Sequence, residues 1–566
     1  MPAHPFRTLV RLIPADQRRE AVLLFVLMMA GAAADLLTIG ALVPFLAHLA
    51  GAGPAILPGL SLRAAMTLFV GAALGASLLR LALSSWSQDF AGRVGHGWAV
   101  EIHRRLLLQP YAYHLQQHSS TVLAALGKVQ ELVWRVLLPL LQGLAAGLIS
   151  LAIMAVLLWL EPFAAGLALI VLGILYALIA GLLRPRLGRI SDHLNDGADR
   201  RLRLVGESHG AIRDIILDGS AGVHVAEFSR SDRALSRAYA RYGLFAAAPR
   251  FLVEGIGITA LACAALWLSA RNGGLIAALP QVGALALGCQ RLLPLLQQLY
   301  QSWASLAANS AIVGEVERLL TLPLPVLKEP GPEPLPFLEE IRLEEVSFSY
   351  PERDRNAVHA IDLTIRRGER VALVGPTGSG KSTLADVLMG LLPPQAGRLL
   401  VDGREVGTQD QARWRRLIAH VPQAVFLADD SIAANIAFGL SPTERDPGRL
   451  ERALRLAQLE ELVAELPQGL ETMVGERGAR LSGGQRQRVG LARAIYRETR
   501  VLVLDEATSA LDQVTEAAVV RALDELQAEG VTILAIAHRD SALSGCDRLI
   551  HLDRGRIARI EERIAA

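Results

Sequence analysis

The sequence predicts an α-helical membrane domain with six transmembrane helices fused to an α/β domain of the P-loop kind. Three observations predict it: six long apolar runs confined to the first part of the chain, a proline-rich break after them, and short strands alternating with helices beyond it, one strand running into a glycine-rich loop. A chain of 566 residues is several times a single domain, and 52% hydrophobic residues with a mean hydropathy of +0.35 place part of it in lipid.

The apolar runs lie near 20–48, 64–87, 134–160, 163–183, 249–270 and 275–300, each long enough to cross about 30 Å of hydrocarbon. The joints at 49–62, 161–162 and 271–274 are short and nearly free of basic residues. The N-terminus and the segments 88–133 and 184–248 are arginine-rich, with Arg184, Arg186, Arg189, Arg200, Arg201, Arg203 and Arg213 in the last. The positive-inside bias assigns these to the cytoplasm. Their pattern is helical, so spans 2 to 5 are expected to continue well outside the bilayer. The N-terminus has no short apolar core ending in a small-residue cleavage site, so the first span is expected to carry the targeting. Thr321 to Glu340 holds six prolines, which cannot propagate a helix. The expected division is a membrane domain over 1–320, a linker over 321–340 and an α/β domain over 341–566.

Composition excludes other classes. A net charge of +2 offers no basic surface for nucleic acid, and Cys263, Cys289 and Cys546 are too scattered for a zinc site or a disulfide framework. Only Lys128, Lys328 and Lys381 are lysines, against 54 arginines (57 less 3). An arginine is therefore weak evidence for arginine chemistry, whereas a lysine kept inside a phosphate-loop pattern is informative.

That lysine closes the run Gly375-Pro376-Thr377-Gly378-Ser379-Gly380-Lys381-Ser382-Thr383, which follows the strand RVALVG at 370–375 and fits G-x-x-x-x-G-K-[ST] in its strand-then-helix setting. The glycines let backbone N–H groups turn toward phosphate oxygens, and the helix N-terminus adds its dipole. Lys381 is expected at the β- and γ-phosphates of ATP, with the Ser382 hydroxyl on Mg²⁺. The plain alternative is a glycine-rich structural turn. Further motifs weigh against it: Leu481-Ser482-Gly483-Gly484-Gln485, then a strand ending in Asp505 and Glu506, then Ser509-Ala510-Leu511-Asp512, then His538 after the strand VTILAIA.

This ordered set resembles the ATP-binding-cassette (ABC) ATPases, whose own signature is LSGGQ. The resemblance implies that Tyr350 stacks on adenine and that Gln423 meets Mg²⁺. It makes Asp505 a metal-holding carboxylate, Glu506 the general base and His538 the γ-phosphate sensor, with Asp512 in the ATP-binding set. In that family Ser482, Gly483, Gly484 and Gln485 of one subunit close on the ATP of the other. A chain with one P-loop and one signature is then expected to work as a homodimer. Gly475-Glu476-Arg477-Gly478 resembles the exporter-specific segment that touches the membrane domain, and Ile212 to Gly219 its coupling helix. Membrane spans ahead of the ATPase imply the exporter type.

Three arginines sit in or against apolar runs. Arg80 and Arg291 each lie sixteen residues into an inward-running span, about 24 Å from the outer face, and Arg250 begins span 5 from the cytoplasmic end. Arginine facing lipid is costly, so such residues line a cavity or snorkel to headgroups, and Arg250 has Glu254 one turn away as a partner. The stretches DLLTIGALVPFL at 35–46, Arg80, APRFLVEGIG at 248–257 and QRLLP at 290–294 resemble the bacterial lipid-linked oligosaccharide flippases of protein N-glycosylation. That likeness implies that Arg80, Arg250 and Arg291 bind the diphosphate of a polyprenyl-diphosphate oligosaccharide taken from the membrane. The short outer loop AGAGPAILPGLS departs from those flippases, being too small for their external helix. Asp35 is expected to be buried and hydrogen-bonded rather than a proton relay. The rival readings are an exporter of drugs or other lipids, with the same engine, and a peptide exporter with a built-in protease. The latter is disfavoured because no cysteine precedes Cys263.

Overall fold

The computed structural model describes residues 5–49, 61–117, 119–160, 162–271, 275–324, 333–350, 356–507, 511–537, 543 and 545–563. The chain forms two compact units, Met1–Gln109 with Gln116–Leu324, and Pro110–Leu115 with Pro325–Ala566.

The first unit is helical: α1 (Pro5–Leu12), α2 (Arg18–Leu49), α3 (Leu62–Leu107), then, past α4 (Tyr111–Gln116), α5 (Ser119–Leu132), α6 (Leu138–Leu160), α7 (Pro162–Gly210), α8 (Ile212–Asp218), α9 (Ala221–Arg271), α10 (Leu275–Ala308) and α11 (Ser310–Leu320). Helices are the natural outcome for these runs, because in hydrocarbon every backbone N–H and C=O must be satisfied within the segment. Three of the four spans expected to be overlong, spans 2, 4 and 5, lie on helices longer than a bilayer crossing needs. At about 1.5 Å per residue, the 46, 49 and 51 residues of α3, α7 and α9 far exceed a hydrocarbon core. Among the described residues five helices are long and apolar enough to cross a membrane, on the first five of the expected runs. The sixth run lies on α10, the side chains of whose first turns are not fully among the described residues.

Helix α2 packs on α3, α6 and α10, and α10 also on α6, α7 and α9. A buried apolar cluster of Ala32, Ile39, Ile149, Ile153, Leu157 and Leu292 joins α2, α6 and α10. Small residues permit the close approach: a Cβ at Gly143 would run into Ser302 of α10, whose hydroxyl donates to the Pro139 carbonyl. Outside the apolar runs, Lys128 of α5 is buried and pairs with Asp199 of α7 at 2.9 Å.

The second unit runs β1 (Glu340–Phe348), β2 (Val358–Arg366), β3 (Arg370–Val374), α12 (Lys381–Leu388), β4 (Ala396–Val401), β5 (Arg404–Glu405), α13 (Gln411–Arg415), β6 (Ile418–Val421), α14 (Ile432–Ile436), α15 (Pro447–Leu456), α16 (Glu460–Glu465), α17 (Gly483–Tyr496), β7 (Val501–Asp505), α18 (Gln513–Ala528), β8 (Thr532–Ile536), β9 (Arg548–Asp553) and β10 (Arg556–Glu562). The main sheet has the order β10-β9-β3-β8-β7-β6, parallel except for the β10 edge. Its central strands β3, β7 and β8 are buried almost throughout, which is why they read as continuous aliphatic runs rather than alternating ones. A second, antiparallel sheet has the order β2-β1-β4-β5.

The expected linker is narrower than 321–340. Arg105 of α3 and Gln109 just past its end donate to the carbonyls of Leu322 and Pro323 at 2.6 and 3.0 Å, while Leu335 and Phe337 are buried in the core of the second unit. Only 325–332 lies outside the described residues.

Candidate functional site

Strand β3 stops at Val374, and the chain turns through Gly375 to Gly380 before α12 begins at Lys381. Gly375, Gly378 and Gly380 have φ of 153°, 81° and 102°, conformations that side chains rarely adopt. A Cβ at Gly375 would collide with the Leu552 carbonyl and one at Gly380 with that of Ala357, so the loop can close only with glycine there. Lys381 curls back into it, its Nζ donating to the carbonyls of Gly375 and Pro376 at 2.7 and 3.0 Å. Burial lowers the Lys381 pKa, opposed by the charges of Glu506 and Asp505. The ammonium is thus held over the loop with two carboxylates facing it.

An open cleft of about 1160 Å³ gathers Thr377, Gly378, Gly380, Lys381, Ser382 and Thr383 with Gln423, Asp505 and Glu506. Parallel pairing of β3, β8 and β7 brings the P-loop beside the end of β7, where Asp505 is the last strand residue. Glu506 follows at φ 49°, its N–H bonded to the Ile536 carbonyl at 3.0 Å, and its carboxylate accepts from Gln423 Nε2 at 2.8 Å. A backbone held in this sparsely populated region aims the side chain into the cleft. Asp386, on α12 near Asp505, has its pKa pushed up to about 6, by burial first and by the Asp505 charge second.

Asn356, Ala357, His359, Arg554 and Gly555 also line the cleft, and no sequence motif marked them. They arrive through the His359 N–H to Gly555 carbonyl bond at 2.7 Å, a contact between residues almost two hundred positions apart. Tyr350 stands off these walls, its hydroxyl 3.2 Å from Thr383 Oγ1 and its ring edge-on to Phe348. Ser482 is the N-cap of α17 in a reciprocal capping box with Gln485, with Gly483 and Gly484 half-buried in the first turn. None of Ser482, Gly483, Gly484 and Gln485 is among the described walls of the cleft in their own chain. Asp512 caps α18 by accepting from the Thr515 N–H at 3.2 Å, which gives it a structural role in the chain itself. His538 lies outside the described residues.

In the first unit two of the three membrane arginines meet. Asp35 of α2, 3% exposed, accepts a hydrogen bond from Arg291 of α10 and faces Arg80 of α3 at 3.2 Å. The expectation that Asp35 is buried and bonded holds, and its partners are the arginines themselves. Arg250 is not in this group; it pairs at 3.7 Å with Glu254 on its own helix, both more than half exposed. The three arginines implied to bind one diphosphate are therefore a pair with a shared carboxylate and a separate ion pair on α9. The expected coupling segment is helix α8, which leaves Ile212, Ile216 and Leu217 exposed. A segment the sequence reading passed over, Pro110–Leu115, belongs to the second unit, with Ala112 against its core. Pro110, breaking a helical pattern beside Tyr111 and Tyr113, was the available signal.

Residues 358–509 match the family model described as ABC transporter. The chain is similar to the ATP-dependent lipid A-core flippase of Cupriavidus pinatubonensis, with 47% identity over 220 residues, covering 39% of this chain and 37% of that one. The protein of the same name from Ralstonia nicotianae is 46% identical over 219 residues, covering 38% and 37%. The match thus spans little more than a third of the length of these curated relatives. Among solved structures, a bacterial Atm1-family ABC exporter with ATP bound superposes with a TM-score of 0.80, covering 96% of this chain and 95% of that one at 23% identity. The fold is accordingly that of an ABC exporter, a helical transmembrane-type domain fused to an ABC ATPase domain.

Proposed function

We propose that the chain is one half of an ATP-driven exporter that works as a homodimer in the bacterial inner membrane, its ATPase domain in the cytoplasm. Its cargo is a lipid with a diphosphate headgroup, a polyprenyl-diphosphate-linked oligosaccharide, flipped from the cytoplasmic to the outer leaflet. The observation that carries the cargo reading is the convergence of Arg80 and Arg291, from two different membrane helices, on one buried carboxylate. Guanidinium groups bind phosphate oxygens through charge-assisted, often bidentate hydrogen bonds, and a polyprenyl diphosphate carries its charge at the membrane level where these arginines sit. The lipid-flippase names of the relatives support a lipid cargo, and the glycan and tail are this reading's own.

The residues of the cleft fit ATP with Mg²⁺: a loop that only glycine can form, a lysine over it, and two carboxylates and an amide facing it. Mg²⁺ held by Ser382, Asp505 and Gln423 would neutralise charge across the β- and γ-phosphates. Lys381 leaves the loop carbonyls for phosphate oxygens. Glu506 orients the attacking water and takes its proton, while Gln423 holds that carboxylate in place. Tyr350 is assigned to the base and His538 to the γ-phosphate. Because the signature residues stand away from their own cleft, Ser482, Gly483, Gly484 and Gln485 are assigned to the cleft of a second copy, with Asp512 at the same junction. Arg250 is retained as a peripheral contact for the anionic headgroup.

A second reading, export of another lipid or of a hydrophobic drug, is favoured by an apolar cavity of about 330 Å³ among α7, α9 and α10, walled by Phe163, Leu261, Trp267, Cys289 and Leu293. Steady-state ATPase activity in proteoliposomes separates the two. Stimulation by a polyprenyl diphosphate, and not by the matching uncharged polyprenol or a hydrophobic dye, supports the first. Equal stimulation by all three supports the second.

A further inference from the structure

The membrane cluster is built asymmetrically. Both guanidinium groups address one oxygen of Asp35, Oδ1, so three residues on α2, α3 and α10 share a single acceptor atom. Two arginines carry ten N–H donors between them, far more than one carboxylate can accept. The sum of the formal charges, two positive and one negative, is +1. Exposure is graded: the Asp35 side chain is 3% exposed, Arg291 20% and Arg80 42%. On α2, Asp35 lies between Ala32 and Ile39, both in the buried apolar cluster that also holds Leu292 beside Arg291. The carboxylate is thus buried while the arginines are progressively more exposed, and apart from the Arg80 Nε bond to the Ala76 carbonyl the guanidinium groups hold donors in excess of what Asp35 can take.

We infer that Asp35 is an internal counter-ion that competes with the cargo for Arg80 and Arg291, closing the anion site when it is empty and displacing the headgroup when it must leave. The inference rests on the reading of these arginines as the headgroup site and assigns Asp35, a residue outside that site, the part of setting affinity and release. Without an anion, two arginines side by side in a poorly solvated setting repel, and Asp35 holds them together. An incoming phosphate offers more acceptors and more charge, and the arginines exchange partners. Asp35 then stands beside an anion it repels, which weakens capture and speeds release. Asp35 is therefore a positioning residue whose removal tightens binding, the opposite of what loss of a purely structural ion pair does.

The test uses the full chain in phosphatidylcholine nanodiscs, with binding of polyprenyl diphosphate measured against the matching uncharged polyprenol. Asn keeps the shape and an acceptor oxygen at position 35 while removing the charge. Asp35→Asn is expected to bind the diphosphate about tenfold more tightly, with polyprenol binding unchanged, and in proteoliposomes to lower both KM and maximal flipping rate. Asp35→Asn/Arg80→Gln, which removes one charge of each sign, keeps the net charge of the cluster at +1 and frees Arg291 from its carboxylate, is expected to bind better than Arg80→Gln alone. It carries the test if Asp35→Asn does not fold. Equal or weaker diphosphate binding by both Asp35 variants, with Arg80→Gln and Arg291→Gln still impaired, overturns the inference and leaves the headgroup site standing. Wild-type binding by both arginine variants removes the headgroup site, and the inference with it.

Discussion

Glu506 and Lys381 face each other across the cleft and do different work, so their variants should fail differently. Glu506→Gln keeps the hydrogen bond partner of Gln423 but cannot accept a proton. It should bind ATP normally while turnover falls about 10²- to 10⁴-fold; hydrolysis near the wild-type rate would remove the assignment. Lys381→Ala should instead weaken nucleotide binding itself, read by titration. Asp386 gives a pH-dependent prediction. Its pKa is raised from 3.8 to about 6, so the folded state disfavours the charged form. As pH rises from 3.8 through about 6 that ionisation costs stability, and above about 6 the cost is fully in place. Asp386→Asn should therefore raise Tm at pH 7.5, with the gain shrinking as pH falls toward 4; a pH-independent difference would contradict the assignment. At this scale the sequence spoke clearly where a motif is contiguous, as from Gly375 to Ser382. It was silent on Asn356, His359 and Arg554, which enter the cleft only because β2 and the turn after β9 meet.

Secondary-structure elements were legible where their residues carry a phase. Strands β3 and β7 announced themselves as aliphatic runs because a parallel strand is buried on both faces, and α12 by the glycine-lysine junction ahead of it. The membrane helices carry no such phase. On a helix apolar all round, nothing tells which face of α2 bears Asp35 toward α3 and α10, and its partners stand 45 and 256 residues away in sequence. The membership of Pro110–Leu115 in the second unit rests on contacts distant in sequence, which only Pro110 hinted at by breaking the helical pattern. Local backbone geometry yields a sharper expectation. Gly380 combines φ 102° with a Cβ direction blocked by the Ala357 carbonyl, so Gly380→Ala must shift the P-loop away from Ala357. It should cost about 1 to 3 kcal/mol of stability and abolish ATP binding; a variant with wild-type Tm and affinity would show that the loop does not need this turn.

For the whole molecule, two units carry two chemistries that must be coupled. The division into them was legible because composition changes abruptly at the prolines after Thr321, while the linker proved shorter because Arg105, Gln109 and the buried Phe337 fasten its ends. Arg250 stands apart from the other two arginines for a similar reason: position along a span does not fix which face a helix presents, and Glu254 one turn on was the available partner. The central claim is that ATP hydrolysis at Lys381 and Glu506 moves a lipid diphosphate held by Arg80 and Arg291. It is tested most directly by ATP-dependent translocation of a fluorescent polyprenyl-diphosphate oligosaccharide in sealed proteoliposomes, with a hydrophobic dye alongside. Flipping of the diphosphate lipid is expected from the wild type, none from Glu506→Gln, and loss of flipping from Arg80→Gln/Arg291→Gln with basal ATPase activity kept within a few-fold. Undiminished flipping by a well-folded double arginine variant, or transport of the dye in place of the lipid, would contradict the central claim.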